Sequence, residues 1–217
     1  MDQFAICLAQ SGCAIALDCN SLEYELVPLN MGDYRIVIAN TNQPRELKGS
    51  AYNDRVFECQ SALKLLAPVT GAEQLAHINP AQLQENIHLL KESVIRNRAT
   101  HVIEETDRVR RATVALKAGR LDDFGQMMYQ SHASLRDLFE VSSATLDCMV
   151  DLAMQTDGVI GSRMTGAGFG GCTVSLVHAD AVDGFIHDVG SAYSKAMNLE
   201  ADFYVTTAAS GASEVTT

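Results

Sequence analysis

The sequence predicts an α+β fold, an antiparallel sheet in ferredoxin-like split βαβ order with extra helices in its first crossover. Three observations carry this. From Tyr34 onward the apolar pattern reads strand, helices, strand, strand, helix, strand, the order of a split βαβ unit. Between Pro80 and Thr156 apolar residues recur at helical spacing almost without a break. After Asp157-Gly158 the alternation returns to that of strands. Helices on one face of the sheet would satisfy this order.

Taken in order, Phe4, Ile6, Cys7 and Leu8 suggest one or two turns of buried helix at the start. Ala14 to Asp18 and Leu22 to Val27 read as two strands joined around Cys19-Asn20-Ser21. The second alternates apolar and acidic residues, as a half-buried strand does. Tyr34 to Ala39 is a third strand, and its apolar centre suggests burial on both faces. Asn40 to Pro44 breaks it. Ser50 reads as the N-cap of a helix to about Leu66, with Val56, Cys59, Leu63 and Leu66 at helical spacing, and Pro68 to Pro80 as a looser connection. Asn79-Pro80 opens the next helical piece. A long helix then runs through Val94, His101 and Leu116, and Gly119 closes it. Leu121 to Glu140 and Ser142 to Gln155 are two more helices, the second capped by Ser142 or Ser143. Strands follow over Val159 to Met164 and Cys172 to Val177, then a helix over Ala181 to Met197 and a last strand over Phe203 to Thr207. The small polar tail from Ala208 should fray. Residues 1–30 are too few for a core of their own and read as a piece of a separate domain, with 31–217 as the main one.

The composition narrows the function. A net charge of −11 argues against nucleic acid, for which a basic stripe is the expected footprint. Phosphorylated ligands stay open, since a few N–H groups or one arginine can hold them. No apolar run reaches membrane-spanning length. The opening Met1-Asp2-Gln3 has no basic lead, so no export signal is expected. The six cysteines form no Cys-x-x-Cys pair, which argues against zinc and for free thiols in the cytoplasm.

One stretch stands out. In Arg163-Met164-Thr165-Gly166-Ala167-Gly168-Phe169-Gly170-Gly171-Cys172, four glycines fall within six residues. Such a loop can turn several N–H groups toward one anion. It is no P-loop, because Cys172-Thr173 stands where Lys-Ser/Thr is required. Nor is it a dinucleotide fingerprint, because a strand follows the glycines. On spacing alone it is a tight hairpin.

The same decapeptide resembles the third motif of the GHMP small-molecule kinases, in its galactokinase form. Met1-Asp2-Gln3-Phe4 resembles the segment carrying that family's catalytic aspartate, and Leu17-Asp18-Cys19 with Ser21-Leu22-Glu23 the hairpin after it. Ser50-Ala51-Tyr52-Asn53-Asp54-Arg55 with Glu58-Cys59 is similar to its next helix. His101 to Glu105 and Ser131 to Asp137 are similar to its later helices. The resemblance covers essentially the whole chain. Two family segments do not occur in this sequence: the Gly-Glu-His-Thr-Asp sugar signature and the Gly-Leu-Ser-Ser-Ser-Ala phosphate loop. The expectation is a C-terminal portion of a galactokinase, with Met1 an internal methionine of the longer protein.

The resemblance implies ATP-dependent phosphorylation of D-galactose to galactose 1-phosphate, with ATP as substrate and Mg²⁺ held by residues upstream. Asp2 would be the base for the anomeric hydroxyl and touch the sugar, and Tyr52 would donate a hydrogen bond to it. The loop Gly166, Ala167, Gly168, Phe169, Gly170 and Gly171 would lie against the active site and support the phosphate loop. Without the resemblance, Asp2 is a solvated terminal aspartate, Tyr52 a partly buried helix tyrosine, and the loop a plain hairpin. Arg136 and Asp137 read as a structural ion pair or caps, and His101 and His132 as residues of helix surfaces or interfaces. No carboxylate or histidine cluster makes a metal site. Phe4, Ile6, Leu8, Ile15 and Leu17 are too apolar for a free surface, which suggests self-association or pairing with a separate N-terminal half. The alternative function is a galactokinase-like sensor that binds sugar and ATP without turnover.

Overall fold

The computed structural model describes residues 2–43 and 49–213, and the side chains of Asp2 and Ser50 lie outside that description. Helix α1 (Asp2–Leu8) leads into a hairpin of β1 (Cys13–Leu17) and β2 (Tyr24–Pro28). Strand β3 (Tyr34–Asn40) is followed by α2 (Gly49–Thr70), α3 (Pro80–Asn86), α4 (Ser93–Lys117), α5 (Leu121–Ser134) and α6 (Ala144–Met154). The hairpin β4 (Val159–Thr165) and β5 (Cys172–His178) precedes α7 (Val182–Met197) and β6 (Asp202–Thr206).

The main sheet has the order β4-β5-β3-β6, and every neighbouring pair is antiparallel. This is the split βαβ arrangement that the sequence pattern predicts. The hairpin β1-β2 forms a separate two-stranded sheet.

Helices cover both faces of the main sheet, not one. Val37, Ala39 and Val177 face α6 and α7, packing with Met149, Phe185, Val189 and Tyr193. Ile36, Val174 and Leu176, at the alternate positions, face Leu121, Phe124 and Met128 of α5. The reason is that these strands are apolar on both sides of the pleat, and each side needs a partner. Helix α5 can lie so close because it crosses β4 at two glycines. A Cβ on Gly125 would fall 2.2 Å from the Ile160 carbonyl oxygen, and one on Gly161 would fall 2.5 Å from the Gly125 Cα. A third cluster joins α2 to α4 through Leu66, Ile78, Leu90, Ala99 and Ile103.

Local signals set several boundaries. Asn79 and Gln82 form a reciprocal capping box ahead of α3, with Pro80 in the first helical position. Gly119 ends α4: its N–H reaches Leu116 O at 3.0 Å, and Arg120 N–H reaches Ala115 O at 2.9 Å, a Schellman closure. Ser143 is the cap of α6, its side chain accepting from Leu146 N.

Other expectations are corrected. Ser50 does not cap α2, which already includes Gly49, and the helix continues past Leu66 to Thr70 with Pro68 inside it. A proline removes one helical donor, yet the helix runs on through Pro68, with Leu66 buried in one cluster with Ile78 and Leu90. The helix expected over Leu121–Glu140 stops at Ser134. It passes into a π-helical turn, Leu135–Phe139, and ends at Glu140 in left-handed conformation. Helix α1 is not buried: Ile6 and Cys7 are exposed, and Phe4 and Leu8 half-buried. The stretch from Ala208 does not fray as far as Ala212. Gly12 N–H donates to Ala208 O, Gly211 N–H to Ala9 O and Ala212 N–H to Ile6 O, which tie it to the N-terminal residues.

Candidate active site

The glycine-rich loop is fastened at both ends. Gly168 lies directly on the Val141 carbonyl, where a Cβ would meet the oxygen at 2.0 Å. Its φ of +85° is also a left-handed value, so glycine is required there on two counts. The next residue, Phe169, donates its N–H to the same oxygen at 2.8 Å. The Phe169 ring packs on Val141, Leu146 and Met164. At the far end, the Gly171 carbonyl accepts from Thr41 N at 2.9 Å and from Thr41 Oγ1 at 2.7 Å. Thr41 is fully buried, and its own carbonyl accepts from Tyr193 Oη at 2.7 Å. One loop N–H is thus already committed to the protein, which suits a shaping role better than an anion cradle.

Tyr52 stands near the start of α2 and is 71% exposed, so the partly buried tyrosine expected from pattern alone is not what the structure holds. One turn on, Arg55 donates from Nε to Phe139 O at 2.6 Å and from Nη2 to Glu140 O at 3.1 Å. The helix bearing Tyr52 and the loop at Gly168 are therefore fastened to the same short segment, residues 139–141. Asp2 opens α1, but its side chain lies outside the described residues, as does any geometry linking it to Tyr52.

An ion network centred on the buried Arg98 stands behind this segment. Arg98 is 2% exposed and donates to Glu58 Oε2 at 2.6 Å, Leu138 O at 2.5 Å and Glu140 Oε2 at 2.8 Å. Burial pushes its guanidinium pKa down, and the bonds to Glu58 and Glu140 more than offset this, leaving it raised. Arg98 and Glu140 are functional candidates that sequence reasoning missed. The signal was present: Arg98 falls on the apolar stripe of Ile95, Ala99 and Ile103, where a charge needs a partner.

The two histidines sit at interfaces and are buried. His101 Nδ1 lies 2.9 Å from Ser134 Oγ, and its ring stacks on Phe139 at 4.4 Å. Burial drives its pKa down to about 4. His132 Nδ1 accepts from Met164 N at 3.2 Å, and Nε2 lies 3.2 Å from Asp147 Oδ1. Arg136 and Asp137 form an exposed ion pair at 2.8 Å. Among the described residues no group of three His, Cys, Asp or Glu side chains could hold a metal ion. A cavity of about 330 Å³ lies between the β1-β2 hairpin, α4, α5 and the main sheet. None of the predicted site residues lines it.

Residues 112–195 match the family described as GHMP kinases C terminal. Galactokinases of Clostridium acetobutylicum and Clostridium perfringens (strain SM101 / Type A) are each 46% identical over 215 residues, 99% of this chain. The crystal structure of Lactococcus lactis galactokinase complexed with galactose superposes with a TM-score of 0.93 at 41% identity, covering 98% of this chain and 55% of that one. The mevalonate kinase of L. major, 19% identical with a TM-score of 0.54, shares the fold. The chain spans about half the length of the curated relatives it matches, 55% and 56% of the two clostridial proteins. The fold, with its split βαβ sheet and glycine-rich loop, thus matches that galactokinase structure over the covered length, and the loop lies within the residues that match the GHMP kinases C terminal model. Nearly the whole chain is thus similar to a part of galactokinases.

Proposed function

We propose that the chain works as the C-terminal part of a galactokinase, which transfers the γ-phosphoryl group of ATP to the anomeric hydroxyl of D-galactose. The observation that carries this is the correspondence of nearly the whole chain with a galactokinase structure, at 41% identity and a TM-score of 0.93. Phosphoryl transfer needs an aligned hydroxyl and stabilised charge on the transferring group. We assign Asp2 as the base that takes the hydroxyl proton, within about 2.6–3.2 Å of it in the productive complex. Tyr52 donates a hydrogen bond to the sugar, and its exposure leaves the phenol free to do so. The Gly166–Gly171 loop shapes the phosphate side, supported by its fixed attachment to Val141 and Thr41. No step is assigned to Mg²⁺ on these residues.

In the same reading residues 1–30 belong to the N-terminal domain of a galactokinase and 31–217 to its C-terminal domain. The separate β1-β2 sheet supports that division. Among the described residues no helix is long and apolar enough to cross a membrane, and we take the cytoplasm as the place of action. Ile6, 60% exposed, with Phe4, Leu8, Ile15 and Leu17 half-buried, supports packing against a separate N-terminal half or a second copy.

The test is galactose-dependent ADP release with ATP·Mg²⁺. Measurements would use the 217-residue chain, and a chimera joining it to the part of the L. lactis galactokinase that it does not cover. The chain alone should show no turnover, because alignment supplies about 7–11 kcal/mol of barrier lowering and a lone base only about 10²–10⁴-fold. The chimera should turn over galactose and lose that activity in Asp2→Asn. A folded chimera that phosphorylates no galactose would sink the reading. Binding of galactose and ATP without ADP release would mark the sensor instead.

A further inference from the structure

We infer that the turn Leu138–Val141 is a positioning junction, held by Arg98, that sets the Tyr52 helix and the Gly166–Gly171 loop in one rigid frame. Its catalytic consequence rests on the galactokinase reading above; its geometry does not.

Four successive carbonyls of this turn are shared among three separate elements. Leu138 O accepts from Arg98 of α4. Phe139 O and Glu140 O accept from Arg55 of α2. Val141 O accepts from Phe169 N–H of the loop. The end of a helix leaves its last carbonyls without intrahelical partners, and here the π-helical turn offers them in a fan. Glu140 makes the fan possible. Its left-handed φ of 55° turns the chain and returns its carboxylate to Arg98 Nη2 at 2.8 Å. Arg98 also reaches Glu58 Oε2 at 2.6 Å, and Glu58 accepts from Arg55 Nη1 at 3.1 Å. One guanidinium thus grips both the turn and the helix that carries Tyr52. Arg55 lies three residues beyond Tyr52, and Phe169 is the centre of the loop. Movement of the turn would therefore shift both proposed substrate-facing elements at once. Arginine is needed because its planar fork reaches three acceptors, whereas a lysine ammonium is a point charge on a flexible stem.

The test uses Arg98→Lys, which keeps the charge and loses the fork, and Glu140→Gln, which keeps the shape of an accessible side chain. In the 217-residue chain, amide hydrogen exchange is read at Phe169, at the first turns of α2, and at Val37 in the core. Both variants should speed exchange at Phe169 and α2 by roughly tenfold or more, with Val37 unchanged. Equal acceleration at all three sites would mean a merely stabilising ion pair and would overturn the inference. So would unchanged exchange at Phe169 in a folded variant. If Arg98→Lys does not fold, Glu140→Gln decides on the same readout. In the galactokinase-active chimera, Arg98→Lys should lower kcat/KM by roughly 10²-fold, the effect of a misplacement of about 1 Å. It should change KM for galactose as well as kcat, at a temperature where the protein is fully folded. A kcat/KM within twofold of the parent would overturn the catalytic consequence. A parent chimera without turnover would defeat the galactokinase reading and leave the exchange result to decide the junction.

Discussion

The body around the main sheet and the layer formed by residues 2–28 bury their apolar side chains to very different degrees. In the body, Val37, Val177, Phe185 and Tyr193 are at most 1% exposed, pressed between strands and helices. In the N-terminal layer, Val27 is the one fully buried residue among those described, while Ile6, Leu22 and Tyr24 are 60%, 63% and 46% exposed. A two-stranded hairpin is marginal by itself. Backbone bonds tie residues 208–212 to α1 and to Gly12 just before this one, and the hairpin itself makes polar contacts such as Lys117 to Glu25 at 2.7 Å. Both regions contain clear strands, so regular backbone pairing does not separate them. What separates them is how many layers cover each apolar face.

The largest effect should come from the body. Phe185→Ala deletes a ring packed against Val189 and Phe203, and should cost about 3–5 kcal/mol in urea unfolding. A loss below about 1 kcal/mol would mean that the α7 face is not the main core.

Acid should weaken the body next. The folded-state pKa of His101 is about 4, against an ordinary 6.5, so the unfolded chain takes up the proton first as pH falls. Its contribution is complete above pH 6.5 and is lost as pH drops toward 4, at up to about 1.4 kcal/mol per unit. Burial is the main cause, Arg108, Arg163 and Arg98 add to it, and Glu105 opposes it. The urea midpoint measured between pH 7 and pH 4.5 should fall, and His101→Gln should flatten that slope.

Gly125→Ala tests the closeness of α5 to β4. The added methyl would meet the Ile160 carbonyl at 2.2 Å, and forcing the helix outward should cost about 1–3 kcal/mol. An unchanged melting midpoint would show that the crossing can yield.

The smallest effect should come from the N-terminal layer. Ile6→Ser, at an exposed position, should change stability by less than about 0.5 kcal/mol while reducing self-association in sedimentation. A loss approaching that of Phe185→Ala would erase the contrast between the two regions.

Much of the candidate site was legible in the sequence, for different reasons in each part. The glycine spacing of residues 166–171 pointed to the loop, since backbone conformation is written locally. Tyr52 and Asp2 entered only through the family resemblance, because one tyrosine on a helix and one aspartate near a terminus have no distinguishing pattern. Arg98 and Glu140 went unread. Their meeting, and the reach of Arg55 to a carbonyl 84 residues away, depend on how α2, α4 and the π-helical turn pack.

By itself the sequence determined the order of strands and helices, the split βαβ class, and the ends set by Asn79, Gly119 and Ser143. Those features arise within a few residues, where side-chain periodicity and capping bonds act without help from the rest of the chain. The tertiary structure alone decided that both sheet faces are covered, that Gly125 and Gly161 touch, and that the turn at Glu140 is left-handed. It also decided that residues 208–212 lie along α1. Each of these brings together groups far apart in sequence. Whether such groups meet depends on the shapes and volumes of the elements between them, which local periodicity does not encode.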